Sequence, residues 1–445
     1  MKKLIQAGFP VVLLAFFLLL SLAGYIGFAW YADKNDPWLL LFFYALSIAG
    51  FAYWWFNRSL LSWPTILVIA IIFRALFLFD PTCRLSGDIN RYLWDAEMVA
   101  HGENPYRYTP SEWKDSVQTS TNAIADQLYP QIAQPNSYSV YPPTCQLMWS
   151  NSVWWAEYTG LGNTIENRIF FLKGLTFLLE IITMLLIVQI LIKRGQAGQL
   201  AGIYALNPLV IVEFMGNLHP DVVLILLLSN AVLLVTAKRI PLAAIPFGFA
   251  IATKLMAIIF LPFLIKKWGW KKALIFSLIS LGVAFLIYMP LISVEIANNI
   301  ISAAKFNYIE YDFNASLYYV IRNILNYFTG IDTSYIVGPG LAILSAIVVV
   351  FLASRDYSKG KGMLYYMISG LAVYSLCSTT VHPWHLTLPL FFAIFTNVRW
   401  PLFASMFVML SYLLYTHGME NSWILFAEYG LIYASYTIDR LVKSK

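Results

Sequence analysis

Charge is scarce in this sequence. Only 12% of the 445 residues are charged, five are histidines and three are cysteines, while 60% are hydrophobic and the mean hydropathy is +0.67. A soluble globular domain has far more polar surface, and the net charge of +6 is not gathered into the basic cluster that a nucleic-acid-binding protein requires. The cysteines Cys83, Cys145 and Cys377 fit no metal-binding spacing.

The common motifs of soluble enzymes are missing as well. The sequence has no glycine-rich nucleotide-binding loop, no nucleophile elbow and no zinc-protease helix. A nucleotide or sugar-nucleotide site on the cytoplasmic side therefore has no support. Any activated substrate has to be reached from the membrane.

Apolar runs of about 20 residues are what the sequence has instead. Only helices satisfy their own backbone hydrogen bonds in lipid, so we predict an all-α polytopic membrane protein with one integral membrane domain over 1–445. The first run is too long for a signal peptide, and we expect it to be retained. The predicted spans are 7–31, 37–56, 64–79, 166–192, 199–216, 221–237, 272–292, 334–354, 363–380, 386–397, 400–415 and 423–440.

The stretch 241–265 is apolar but has basic residues on both flanks, Lys254 near its middle and several prolines. This pattern predicts two half-helices that enter and leave on the same side, as a re-entrant hairpin. With that hairpin, the positive-inside rule places both termini and most of the 29 lysines and arginines in the cytoplasm. The long loops 80–165 and 293–333 are then extracytoplasmic.

The most polar stretch of the chain is 84–110. Read as a helix that Ser86 caps and Asn104-Pro105 ends, it places a polar set on one face. That set is Asp88, Arg91, Tyr92 and Asp95. Arg91 can keep both carboxylates ionised, so the face is either a base with its positioning network or an ion-paired interfacial helix. Its aromatic neighbours, Tyr106 among them, form either an interfacial belt or a platform for a sugar.

The predicted topology sends the other polar motifs to the same extracytoplasmic side. They are Asn217, His219, Asp221, Lys254, His382, His385 and the tyrosine-rich segment 306–319. Each has more than one interpretation. His219 and Asp221 either ligate a metal or, as we favour, bind a phosphate or sugar hydroxyl, and the third alternative is that Asp221 only caps a helix after Pro220. Lys254 either reaches out to the interface or pairs with an anion at membrane depth.

The alternatives for the other motifs are also open. His382 and His385 either contribute to the site or cap a helix, and 306–319 either lines a sugar site or forms an aromatic interface. No metal or other cofactor is predicted, with a divalent metal kept as an alternative. Cys83 and Cys145 share the first long loop, so a disulfide between them is an open question.

Several blocks resemble a known family. The run Ser86-Gly-Asp-Ile-Asn-Arg-Tyr-Leu-Trp-Asp, followed by Asn104-Pro-Tyr-Arg-Tyr-Thr-Pro, is similar to the first-loop motif of polyprenol-phosphate-mannose-dependent mannosyltransferases of the GT-C superfamily. Asn207-Pro-Leu-Val-Ile-Val-Glu-Phe-Met-Gly-Asn-Leu-His-Pro-Asp, Thr253-Lys254 and His382-Pro-Trp resemble further blocks of that family, in the expected order. The resemblance extends over 80–400.

This resemblance implies a GT-C-like bundle of about 12–14 transmembrane or half-membrane helices, with amphipathic helices in a long first extracytoplasmic loop. It implies a site outside the cytoplasm of a bacterial inner membrane, a polyprenyl-phosphate sugar as donor and Asp88 as general base. We expect an inverting transfer of a sugar, mannose by resemblance, to a glycolipid or glycan acceptor. Arg91, Lys254, His219 and His382 are the candidate cations for the donor phosphate.

Two other functions remain as alternatives. A secondary transporter or lipid flippase also has intramembrane charges and broken helices, but its polar residues should extend to both membrane faces, whereas these gather on one. An O-antigen-type ligase or polymerase would use a lipid diphosphate donor and a longer glycan.

Overall fold

A computed structural model describes residues 2–80, 82–83, 85–116, 123–162, 164–291, 293–306, 310–357, 362–418 and 421–443. Arg84, part of the polar stretch, and 307–309, part of the segment 306–319, lie outside these described residues. Among the described residues there is no β-strand, only one isolated parallel bridge between Phe313 and Thr380. The predicted all-α fold class is confirmed.

The α-helices are numbered here in chain order. Their bounds are α1 Lys2–Trp30, α2 Pro37–Phe56, α3 Trp63–Ala75, α4 Asp88–Ala100, α5 Pro110–Ser116, α6 Ala123–Leu128, α7 Pro143–Tyr158, α8 Ile165–Lys193, α9 Gly202–Ala205, α10 Pro208–Ile211, α11 Asp221–Thr236, α12 Ile240–Ile251, α13 Leu261–Trp268, α14 Trp270–Tyr288, α15 Val294–Lys305, α16 Leu317–Thr329, α17 Ser334–Ala353, α18 Met363–Cys377, α19 Thr387–Ala393, α20 Trp400–Ala404, α21 Leu414–His417 and α22 Ser422–Lys443.

Five helices in the described part of the chain are long and apolar enough to cross a membrane, namely Phe9–Trp30, Pro37–Phe56, Ile165–Lys193, Trp270–Leu291 and Ser334–Ala353. A sixth span results if the bent pair Gly198–Ala205 and Pro208–Gly216 is one crossing. Four shorter helices are also apolar. The protein is therefore a multi-pass membrane protein.

The chain divides into two compact units. The first comprises Met1–Asp80, Phe177–His219 and His382–Lys445, and the second comprises Pro81–Thr176 and Pro220–Val381. In the first unit α1 packs along α2, and α20 packs on α22. In the second, α4 packs on α7, α12 packs between α11 and α14, and α17 packs on α18.

The predicted span 199–216 is bent rather than straight. Its two halves meet at 56°, and the break falls at Asn207-Pro208. Proline has no N–H to donate and disfavours helical geometry at the residue before it, so the helix has to end there. Arg74 then donates its Nη1 to the freed carbonyl of Ala205 at 2.6 Å and pairs with Glu180 through Nη2 at 2.7 Å. A buried ion pair thus completes the hydrogen bonds of the bend.

Two other expected helices differ from the prediction. The span 400–415 is divided among α20, a 3-10 turn at Val408–Leu413 and α21. Helix α4 ends at Ala100, several residues before Asn104-Pro105, because Gly102 takes a left-handed φ of +82° there. At the other end of α4, Gly87 occupies the capping position, while the Ser86 hydroxyl accepts from the Asp88 N–H at 3.2 Å.

The apolar stretch 241–265 is interrupted at Lys254. Helix α12 ends at Ile251, and a 3-10 turn at Leu255–Phe260 leads into α13. The first turn of α7 contacts this break. The Cys145 thiol donates to the Thr253 carbonyl at 3.4 Å, and the Thr144 N–H donates to the Ala252 carbonyl at 3.3 Å. Whether the chain returns to the same membrane side here stays a prediction. No disulfide joins any of the three cysteines, all of which are described.

Candidate active site

The polar face of α4 is organised around Asp95. This carboxylate is 1% exposed and accepts three hydrogen bonds. They come from Arg91 Nε at 2.8 Å, Ser139 Oγ at 2.5 Å and Gln146 Nε2 at 2.9 Å. Arg91 also donates Nη1 to the Ser137 carbonyl at 2.7 Å. These hydrogen bonds fix α4 against α7 and the loop before it.

An aromatic group lies beside this network. Tyr92 stacks on Trp149 of α7 with ring centres 4.2 Å apart, and the Tyr141 ring meets Tyr92 edge-on at 5.0 Å. Tyr106 donates its hydroxyl to the Tyr141 carbonyl at 2.6 Å. Burial raises the pKa of Tyr92 and of Tyr141 well above its ordinary value, and the nearby carboxylate of Asp88 adds to the effect. These phenols therefore remain neutral donors.

Asp88 is the first residue of α4 and is only partly buried. At the N-terminus of a helix the backbone dipole favours the ionised carboxylate. The packing of the Asp95 network and of the Tyr92 stack restrains the helix that carries it. Asp88 is thus a partly exposed carboxylate at a fixed position, which is the arrangement that a general base requires.

Lys254 and Asp221 form an ion pair in the same unit. Lys254 Nζ lies 2.9 Å from one carboxylate oxygen of Asp221 and 3.2 Å from the other. Asp221 is 3% exposed, whereas the Lys254 side chain is 26% exposed. Asp221 therefore compensates part of the lysine charge, and the exposed part of Lys254 can still meet an anion.

The polar turn before Asp221 belongs to the first unit and is fully buried there. Asn217 donates its Nδ2 to Glu213 Oε2 and to Tyr412 Oη, both at 2.8 Å. His219, which is 1% exposed, has its Nε2 3.4 Å from Glu213. Leu218 between them has a left-handed φ of +58°, a strained conformation for a leucine. Such strain persists only where the surroundings enforce it, as they do here.

The Trp384 ring lies between two of the predicted site histidines, His219 and His382. Its ring stacks on His219 at 3.6 Å and on His382 at 4.2 Å, with interplanar angles of 24° and 8°. The His385 ring meets His382 edge-on at 5.7 Å. An indole between two imidazoles holds both rings in fixed orientations. His219 is enclosed, whereas His382 and His385 are only partly buried.

Among the described residues one group has the spacing of a metal site, namely Glu97, His101 and Glu157. Arg168 pairs with both carboxylates, at 2.9 Å to Glu97 and 2.8 Å to Glu157. The guanidinium supplies the charge that a cation would otherwise supply, so the group is an ion-pair network.

The structure thus distributes the predicted site residues between the two units. The second unit contains Asp88, Arg91, Tyr92, Asp95, Tyr106, Asp221 and Lys254, and the first contains Asn217, His219, His382 and His385. Trp384 and Glu213 enter the sequence analysis only as members of blocks that resemble the family, and Ser139, Gln146 and Tyr412 do not enter it. These last three are recognisable only from their three-dimensional neighbours.

The comparison with known families agrees with these observations. Residues 17–270, more than half of the chain, match the MptA_B family, described as alpha-(1->6)-mannopyranosyltransferase, N-terminal domain. This match includes the Asp88 helix, the Asn217–Asp221 turn and Lys254. No curated protein matches the chain. The multi-pass helical fold, the restrained carboxylate and the family match lead to one conclusion: the chain belongs to the MptA_B family of alpha-(1->6)-mannopyranosyltransferases and is an integral membrane glycosyltransferase.

Proposed function

We propose that the protein transfers mannose from a polyprenyl-phosphate donor to a glycolipid or glycan acceptor, with Asp88 as general base. The observation that carries this proposal is the partly exposed carboxylate of Asp88, fixed at the start of α4 in the same unit as the partly exposed side chain of Lys254. One group can take a proton and the other can meet a phosphate. The family name adds the α-(1→6) linkage as the proposed product.

The chemistry follows from these two groups. The acceptor oxygen attacks C1 of mannose while its proton passes to Asp88, and the bond from C1 to the phosphate oxygen breaks with its electron pair. Polyprenyl phosphate leaves as an anion, so a cation at Lys254 stabilises the developing charge and no general acid is needed. A single displacement inverts C1, and an α product therefore requires a β-linked donor.

The remaining predicted residues support these two. Asp95, enclosed by Arg91, Ser139 and Gln146, holds α4 in place. The buried Asn217 and His219 orient the turn that precedes Asp221, while His382 and His385 are further candidates for contact with the substrates. We place the site on the extracytoplasmic side of a bacterial inner membrane, with both termini in the cytoplasm, because of the lysine and arginine distribution.

The test is mannosyl transfer in detergent from synthetic β-polyprenyl-phosphate-mannose to extracted glycolipids. The wild-type protein should transfer mannose from the β donor, but not from the α-linked donor, and should still do so in EDTA. Asp88→Asn should lower the rate by about 10²–10⁴-fold, because it removes a general base. Asp115→Asn is the matched control, since Asp115 is an exposed carboxylate of the same loop.

Each result has a different consequence. Full transfer by Asp88→Asn would remove the base assignment, and loss of transfer in EDTA would overturn metal independence. Use of the α-linked donor would contradict inversion. Transfer only from a lipid diphosphate would favour the ligase or polymerase alternative, while movement of a lipid across the membrane without transfer would favour a flippase.

A further inference from the structure

The short connection between α2 and α3 contains an exposed arginine. Asn57 ends α2 by donating its Nδ2 to the Tyr53 carbonyl at 3.0 Å, and Ser62 begins α3 by accepting from the Thr65 N–H at 3.4 Å. Arg58 lies between these two caps with its side chain exposed. Because α2 is one of the five apolar spans, Arg58 lies at the level where a membrane span meets lipid headgroups.

The turn after α8 packs against the start of α3 and contains a second arginine. Gly198 approaches the Trp63 ring so closely that a Cβ on this glycine would lie 2.9 Å from it. Only glycine allows the two segments to come this near. The exposed Arg194 belongs to the same turn, and its guanidinium carbon lies 5.6 Å from the centre of the Phe395 ring. The packing therefore brings the segment that carries Arg194 next to the connection between α2 and α3.

A third arginine organises the turn between α19 and α20. Arg399 donates its Nη1 to the carbonyls of Thr396 at 2.7 Å and Ala393 at 3.1 Å. Asp439 of α22 accepts from the Arg399 backbone N–H at 3.0 Å, so its carboxylate holds the backbone of this turn. The position of the Arg399 guanidinium is thus fixed by the backbone around it.

Trp55, near the end of α2, is shared by two of these arginines. The guanidinium carbon of Arg58 lies 4.2 Å from the centre of its ring, and that of Arg399 lies 5.3 Å from it. The indole is only 8% exposed. Among the residues that the structure describes, no carboxylate forms an ion pair with Arg58, Arg194 or Arg399. Cation–π contact compensates these charges only in part, and like charges beside lipid repel more strongly than in water.

The surroundings of the two guanidiniums fit one class of anion. A guanidinium presents paired N–H groups that match two oxygens of a phosphate. Phe56, the last residue of α2, is 75% exposed and offers apolar surface for an acyl chain two residues before Arg58. A ligand that combines a phosphate with acyl chains satisfies both features. Anionic phospholipids are such ligands, and they are drawn to basic groups at the cytoplasmic leaflet.

We propose that Arg58 and Arg399 bind the phosphate of an anionic phospholipid beside Trp55, with Arg194 adding to the positive charge of the site. The bound headgroup neutralises the repulsion between the guanidiniums and joins the end of α2 to the turn before α20. The lysine and arginine distribution places these arginines on the cytoplasmic side and Asp88 on the other. The lipid therefore stabilises the first unit and takes no part in mannosyl transfer.

The test measures thermal unfolding of the purified full-length protein in an uncharged detergent. Dioleoylphosphatidylglycerol should raise the apparent Tm in a saturable way, because a ligand that binds only the folded state stabilises it. Dioleoylphosphatidylcholine, which has the same acyl chains but no net charge, should not raise it. In Arg58→Gln the midpoint of the phosphatidylglycerol titration should move to a lipid concentration about fivefold to tenfold higher. In Arg58→Lys the midpoint should move less, because the positive charge is kept.

Arg355→Gln is the matched control. Arg355 is exposed just after α17, and its guanidinium carbon lies 5.4 Å from the centre of the Phe351 ring, so it has one ring contact of the same kind. Its titration should match wild type. The Arg58 side chain forms no hydrogen bond with a described residue, so the Tm of Arg58→Gln without lipid should also match wild type. Native mass spectrometry should detect retained phosphatidylglycerol in wild type and Arg355→Gln, and a smaller fraction of it in Arg58→Gln.

Four results would overturn this proposal. The first is an unchanged titration midpoint in Arg58→Gln, or an equal shift in Arg355→Gln. The second is equal stabilisation by phosphatidylcholine, which would show that acyl chains act alone. The third is equal stabilisation by glycerophosphoglycerol, the same headgroup without acyl chains, which would indicate a site for soluble phosphate esters.

The fourth result concerns the mannosyl donor, which is also a lipid phosphate. Arg58→Gln should keep the wild-type donor KM in the transfer assay. A raised donor KM would assign the two arginines to polyprenyl phosphate and not to a phospholipid. Loss of transfer in Asp88→Asn together with a wild-type lipid titration would uphold both the base and this separate site.

Discussion

Lys254 shows how a partly buried ionisable residue is stabilised within an apolar segment. The ion pair with Asp221 offsets part of the cost of burying an ammonium group, yet a quarter of the lysine side chain remains exposed. A lysine that served only the fold would be enclosed, as Lys173 is at 0% exposure with its Nζ bonded to the Thr82 carbonyl. The contrast favours a role for Lys254 toward an anionic substrate.

Replacing Lys254 should therefore affect the donor more than the acceptor. Lys254→Gln should lower kcat/KM for the lipid phosphate donor by about 10²-fold, because one cation near the leaving group is lost, and Lys254→Arg should recover part of it. Initial rates at varied donor concentration measure the effect. Lys271→Gln, at an exposed lysine of α14, should behave as wild type. An equal loss in both glutamine variants would contradict a specific role for Lys254.

At the scale of elements, the contact between α4 and α7 combines the stack of Tyr92 on Trp149 with a buried polar network. Gln146 Nε2 lies within 3.0 Å of both the Asp95 carboxylate and the Ser139 hydroxyl. A buried carboxylate that loses a donor is left with a desolvation cost of about 1–3 kcal/mol. Helix α4 should therefore depend on this one amide for stability and for the position of Asp88.

Gln146→Leu keeps the size of the side chain and removes the amide. We expect an apparent Tm lower by several degrees and a lower transfer rate, since Asp95 is left under-bonded in a buried site. Thermal unfolding in detergent and the transfer assay check the two effects. The matched control on α7 is Asn151→Ala, because Asn151 is exposed and bonds only within its own helix. A normal Tm in Gln146→Leu would show that the hydrogen bonds of the Gln146 amide are not needed for stability.

At the scale of the whole molecule, the direction of insertion into the membrane decides which side the site faces. The argument rests on basic residues flanking the spans and on the interrupted stretch 241–265. If that stretch crossed the membrane once, every loop after it would change sides. A labelling experiment on either side of it is therefore decisive.

Introduced cysteines should report this topology. In intact spheroplasts a membrane-impermeant maleimide should label Asp115→Cys, an exposed position of the first long loop, but not Lys271→Cys, which should react only after permeabilisation. The wild-type protein measures background from its own thiols, of which Cys145 and Cys377 are buried. Labelling of Lys271→Cys from outside would reverse the predicted arrangement beyond the interrupted stretch.

The sequence by itself determined the helical membrane fold, the bounds of several long helices and the candidate side chains. Because a span in lipid has to be a continuous apolar helix, each span appears in the sequence as one local apolar run. Polar groups in such a chain are conspicuous wherever they occur. The bounds of α2, α8 and α17 agree with prediction to within one or two residues. The predictions of helix bounds that failed were local. Pro208 breaks the predicted span 199–216, and Gly102 ends α4 before Asn104-Pro105, although the apolar and polar patterns predicted that each helix would continue.

Only the tertiary structure decided which polar residues remain available to a substrate. Asp88, Asp95, His219 and Lys254 look alike as candidates in the sequence, but Asp95 and His219 are enclosed by partners distant in the chain, such as Gln146 and Trp384. The partner of Lys254, Asp221, lies 33 residues away. Exposure and ion pairing depend on contacts between segments remote in sequence, and no local pattern encodes them.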